Sequence, residues 1–142
     1  MKTLSQHPTR FAWIAALVVF ILPFLSSRPT VDFQLHDTYF VVPPLHVGLL
    51  LAVMLLVIGL IYWFTRGLEL SPWMTASHLF ITVILLVAIG VAMILSPFLD
   101  LEDFQRHRQF NGFILLGFSL ALLSQLLFLL NLIIALVKKF SR

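Results

Sequence analysis

Residues 38–65 read TYFVVPPLHVGLLLAVMLLVIGLIYWFT, a run of 28 positions without a formal charge. An α-helix rises ~1.5 Å per residue and the hydrocarbon core of a bilayer is ~30 Å thick, so about 20 apolar residues cross it. This run is long enough to do so. Three further charge-free runs flank it, at residues 11–27, 70–99 and 109–137, with 17, 30 and 29 positions. All 15 charged residues of the 142 lie between or outside these runs. Hydrophobic residues make up 61% and charged residues 11%, against about 45–50% and about 25% in soluble domains. The composition argues against a soluble globular domain and leaves almost no chain for one beside the spans. The expected fold is an all-α integral membrane protein: a single membrane domain over residues 1–142, with four transmembrane helices in an antiparallel bundle. The spans fall at about 11–27, 44–64, 73–96 and 110–137.

Local signals set the span limits. Pro44 can serve as a first helical residue, while each proline of Pro43-Pro44 disfavours helix in the residue before it. Span two should therefore start at Pro44, with His46 in its first turn. Pro97 helps to end span three. Span four, at 28 residues, exceeds the hydrocarbon thickness and must tilt or protrude. The first run, with Lys2 and Arg10 ahead of it, has the look of a signal peptide. It lacks the small–x–small cleavage pattern, since Phe24 and Leu25 occupy the relevant positions, and is read as a retained helix.

Basic residues set the orientation. With both termini inside, the inner segments hold Lys2, Arg10, Arg66, Lys138, Lys139 and Arg142, while the outer loops hold only Arg28, Arg106 and Arg108. The expected arrangement is N-in and C-in, in a bacterial cytoplasmic membrane, with loops 28–43 and 97–109 outside. Trp13, Trp63 and Trp73 all fall at the inner boundary, where amphipathic rings anchor helices. Small residues one turn apart permit close helix approach at Gly48/Ala52, Ala88/Ala92 and Gly117/Ala121. Span four carries Ser124, Gln125 and Asn131. Ser124 and Asn131 share a face, and interhelical hydrogen bonding is their expected role. A polar proton path is the alternative, weakened by the lack of Asp, Glu or His in that span.

There is no cysteine, which excludes disulfides, thiolate metal sites and cysteine nucleophiles. The basic residues are dispersed among segment ends, so nucleic acid is not an expected partner; the bilayer is. No phosphate loop or hydrolase constellation is visible. Of the five histidines, His46 lies near the outer end of span two and His78 near the inner end of span three, too far apart to ligate one haem. His78, beside Trp73 and Ser77, reads as an interface anchor. His46 reads as an interfacial or hydrogen-bonded side chain, or as a haem ligand completed by His36, His107 or a second protomer. His36 and Asp37 are adjacent and read as a turn with a helix cap or as part of a metal site.

Residues 32–64, DFQLHDTYFVVPPLHVGLLLAVMLLVIGLIYWF, resemble the stretch entering and forming the tenth helix of haem–copper oxidase subunit I, the catalytic subunit of cytochrome c oxidase. That family carries a D-(I/F)-x-L-H-D-T-Y-(Y/F)-V-V-A-H-F-H pattern. The irregular run Leu35, His36, Asp37, Thr38, Tyr39, Phe40, Val41, Val42 carries the likeness. More weakly, residues 11–27 are similar to the ninth helix, the segment opening at Ser77 and His78 to the eleventh, and that from Phe110 to the twelfth. The resemblance implies a magnesium or manganese site at His36 and Asp37 and a low-spin haem ligand at His46. Pro44 stands where the family has its high-spin haem ligand. The helices bearing the copper ligands and the opposite haem ligand have no counterpart, and Arg106 and Arg108 are only a loose match to the propionate-binding pair. Oxygen reduction by this chain alone is thus not expected.

Three functions follow as expectations. The first is a non-catalytic membrane subunit or interaction protein, similar to a truncated oxidase subunit I, in a homo-oligomer or with respiratory-complex subunits. The second is a haem-binding electron carrier using His46 with a ligand from a partner or second protomer. The third is an outer-face metal site, His36 and Asp37, in oxidase assembly.

Overall fold

The computed structural model describes residues 6–27, 30–35, 38–96 and 104–141. Four helices dominate: α1 (Pro8–Ile21), α2 (Pro44–Phe64), α3 (Pro72–Leu95) and α4 (Phe104–Phe140). All four, α1 with its extension to Leu25, are long and apolar enough to cross a membrane. The chain is accordingly a multi-pass helical membrane protein.

Proline sets three of the four starts. Pro8, Pro44 and Pro72 each occupy the first helical turn, where a missing N–H costs nothing and the fixed φ suits the helix. Pro43, at φ −60° and ψ 137°, is held extended by the proline after it. Pro23 ends α1: the chain tightens into a 3-10 turn over Leu22–Leu25, closed by the Ser26 N–H donating to Pro23 O at 3.1 Å.

Two connections differ from the expected loops. Within 28–43, Val31–Leu35 (β1) and Thr38–Val42 (β2) pair as an antiparallel hairpin in register Val31 with Val42 and Leu35 with Thr38. The fold is therefore helical with one hairpin and not purely α. The β-branched and aromatic residues Val31, Phe33, Tyr39, Phe40, Val41 and Val42 explain the ladder. Val31 is buried against the bundle, so the hairpin caps one end of it. Within 97–109, α4 begins at Phe104, six residues before the expected span. Its 37 residues extend about 55 Å, well beyond the hydrocarbon, because Gln105, Arg106, His107 and Arg108 are good enough helix formers to continue the helix past its apolar part.

Packing uses the small residues. α1 lies on α2, and α3 lies on α4. Gly48 and Gly59 are the contact points of the first pair: a Cβ at Gly48 would overlap the Pro23 ring, and one at Gly59 the Trp13 indole. Ala52, Gly117 and Ala121 are buried as well, as the small-residue spacing predicts, while Ala88 and Ala92 are only partly covered. One apolar cluster joins Val19, Leu51, Leu55, Leu86, Ile89, Met93 and Ile114; a second, smaller one joins Ala12, Ile58, Tyr62, Leu79 and Phe128. Leu, Ile and Val on the outward faces are widely exposed, as helices facing lipid require.

Candidate functional site

The second cluster surrounds a set of buried polar side chains at the end of the bundle where α2 stops and α3 starts. His78 of α3 has no exposed surface. Both its ring nitrogens are engaged: Nδ1 lies 2.8 Å from the Tyr62 hydroxyl of α2, and Nε2 lies 3.0 Å from Gln125 Oε1 of α4. Phe128 closes the third side, with ring centroids 5.1 Å from Tyr62 and 5.6 Å from His78. One imidazole thus ties three helices together.

The proton positions follow from which atoms can only accept. Ala121 O is a carbonyl and accepts from Gln125 Nε2 at 2.9 Å, which turns Gln125 Oε1 toward His78. That oxygen cannot donate, so His78 carries its proton on Nε2 and donates it there. Nδ1 is left as an acceptor, and the Tyr62 O–H donates to it. Ser124 also donates to Ala121 O, at 2.7 Å, so the 2.7 Å contact between Thr82 and Ser124 is a donation from Thr82. Two lines of donors, from Tyr62 and from Thr82, converge on one backbone carbonyl of α4. Hydrogen bonds at both edges hold the His78 imidazole in a single tautomer.

Asn131, also fully buried, makes a second tie nearly two turns beyond Gln125 along α4. Its Oδ1 accepts from the Ser71 N–H at 2.7 Å, and its Nδ2 donates to Thr75 Oγ1 at 3.0 Å. Ser71 precedes α3 and does not cap that helix with its own hydroxyl; Asn131 satisfies the free amide from another helix instead. Every described buried side-chain nitrogen or oxygen has a partner.

No family model, curated protein or solved structure matches the chain.

The expected site residues fare differently. His36 and Asp37 lie outside the described residues. Among the described residues, no three His, Asp or Glu side chains converge as a metal site would need. His46 sits in the first turn of α2, its N–H donating to Pro43 O at 3.0 Å, and its side chain is exposed on the outward face. Sixteen residues of helix, about 24 Å, separate it from Tyr62, against which His78 packs. His46 and His78 thus cannot share a haem. His78 is not the interface anchor that Trp73 and Ser77 suggested. α3 begins at Pro72, which puts position 78 nearly two turns inside the helix and on the face that meets α2 and α4. Ser124, Gln125 and Asn131 do form interhelical hydrogen bonds. Tyr62 and Thr82 carry no sequence signal that marks them as partners in this network. A tyrosine beside a Trp-Phe pair at a span end looks like another interfacial ring, and only the match of its hydroxyl to His78 distinguishes it.

Proposed function

We propose that the chain is a non-catalytic membrane subunit or interaction protein, similar to the last four helices of haem–copper oxidase subunit I and associated with respiratory-complex subunits or with itself. The bundle is antiparallel, with both termini and the Trp13 end on the cytoplasmic side of a bacterial inner membrane. The supporting observation is the closure of the His78 network: its donors run to acceptors of the same chain and end on Ala121 O. A wire for protons needs a titratable acceptor at its far end, and a backbone carbonyl is none. The polar interior thus serves helix association, and function rests with the outer faces. The test is extraction in mild detergent from the native membrane. Co-migration with haem-bearing subunits, or a defined oligomer of the chain itself, is expected. A lone monomer from a membrane that retains its intact respiratory complexes overturns the proposal.

A second reading has its own observation. His46 is exposed on α2 in the first turn, so a haem ligated there would sit between this chain and a partner or second copy. A Soret band in the purified assembly that disappears in His46→Ala supports an electron-carrying role. Magnesium or manganese at His36 and Asp37 belongs to the same resemblance, and elemental analysis of the wild type against the doubly substituted His36→Ala, Asp37→Ala protein tests it.

A further inference from the structure

At the end of the bundle that carries Tyr62, the helices do not close on each other. The first turn of α1, the last turn of α2, the connection after it and the first turn of α3 enclose a cavity of about 550 Å³, within the usual range of about 300–1,000 Å³ for small-molecule sites. Its character is set by a few side chains. Arg10 and Arg66 line it from two different elements, Trp13 and Trp63 supply aromatic wall, and Thr9 and Thr65 supply hydroxyls. The Arg66 guanidinium carbon lies 5.0 Å from the centre of the Trp63 ring. Contact of that kind uses a face of the planar group and leaves its N–H edges for a ligand.

The charge balance at this end is positive. Glu69 lines the same cavity and opposes the two arginines. A neighbouring depression of about 130 Å³ adds Lys138 and Lys139 from the last turn of α4. Among the described residues, four cations thus meet one carboxylate around these two depressions. α1 and α3 open at this end, at Pro8 and Pro72, while α2 and α4 finish there, so the helix dipoles oppose one another and the charged side chains set the field. The tryptophans mark this level as the boundary between hydrocarbon and water.

We propose that the cavity binds a phosphate group carried by an anionic phospholipid, with Arg10 and Arg66 donating to the phosphate oxygens and Trp13 and Trp63 covering the glycerol and upper acyl carbons. A guanidinium fork matches two phosphate oxygens at once. Basic pockets between transmembrane helices suit such headgroups. This site is separate from His46 and does not depend on the oxidase resemblance.

The test uses the purified full chain in nonionic detergent, with Trp73→Phe to remove the indole that does not line the cavity. Dioctanoyl phosphatidylglycerol, dioctanoyl phosphatidylcholine and sodium phosphate are titrated separately while tryptophan emission is followed. Phosphatidylglycerol is expected to saturate the response at a concentration at least tenfold below phosphatidylcholine. Arg10→Gln with Arg66→Gln should raise that concentration at least tenfold, while Lys138→Gln with Lys139→Gln should shift it less than threefold. Equal responses to the two lipids, or an unchanged response in the arginine variant, overturn the site. Saturation by sodium phosphate at the same concentration as phosphatidylglycerol overturns the lipid as the source. Should the arginine variant not fold, native mass spectrometry of the unaltered chain in an equimolar lipid mixture decides. Enrichment of phosphatidylglycerol supports the proposal and equal retention refutes it.

Discussion

His46 and His78 sit on consecutive apolar helices, and their surroundings are opposite. His78 is sealed between α2, α3 and α4, with both ring nitrogens bonded. His46 projects outward from the first turn of α2. A histidine in a membrane helix can therefore be an internal tie or an external handle. What decides is which face of the helix carries it and whether a neighbouring helix offers a matching donor and acceptor. Substitution should separate the two, since an internal tie reports in stability and an external handle reports in binding.

His78→Ala is expected to have the largest effect. It leaves the Tyr62 hydroxyl and Gln125 Oε1 without their partner and opens a void beside Phe128. Together these should destabilise the fold by about 3 kcal/mol, read as a lowered midpoint in detergent unfolding. A loss below about 1 kcal/mol would mean that His78 is no more structural than His46. The next effect concerns the α1–α2 contact. Gly48→Ala drives a methyl into the Pro23 ring. Neither the pyrrolidine ring nor the helix backbone can move cheaply, so the helices must part, at a cost of about 2 kcal/mol. The same substitution at Gly112, which has open space around it, should be neutral or slightly stabilising in the same assay.

Much of this fold was legible in the sequence because the bilayer permits few solutions. Charge-free runs must be helices, and prolines fix where three of the four start. Pro44 opens α2 where the spacing predicted. The hairpin at Val31–Leu35 and Thr38–Val42 is legible in one strand only: Val31-Asp32-Phe33-Gln34-Leu35 alternates apolar and polar with a strand's period, whereas Thr38–Val42 merges into the uncharged run of span two and carries no period of its own. The site was legible only in halves. Ser124 and Asn131 share a face by their spacing, which is local information. That Gln125 and Tyr62 meet at His78 depends on how three helices are rotated about their axes. No short-range pattern encodes that rotation, and Trp73 beside His78 pointed the other way.

Thr82 and Ser124 offer a smaller test of the internal side. Their hydroxyls are 2.7 Å apart between α3 and α4. Hydrogen bonds between membrane helices average only about 0.6 kcal/mol, because the separated helices also find partners. A double-mutant cycle of Thr82→Val and Ser124→Ala should return a coupling of that size. A value near zero would mean that Ser124 is satisfied by Ala121 O alone and that the tie between α3 and α4 at this level is packing.

His46→Ala should have the least effect on the fold. The side chain is exposed on α2, and the helix start does not depend on it: Pro43 and Pro44 set the backbone there, and the position-46 N–H donates to Pro43 O whatever the side chain. Alanine is also the better helix former, which offsets the little packing that the imidazole provides there. The unfolding midpoint is expected to stay within about 0.5 kcal/mol of wild type. The same variant is the sensitive one in any assay of assembly or haem content, since an outward imidazole can be completed only by another molecule. If His46→Ala instead destabilises the isolated chain as much as His78→Ala does, His46 is an internal tie as well. The outward face of α2 would then lose its claim to be the surface through which this bundle works.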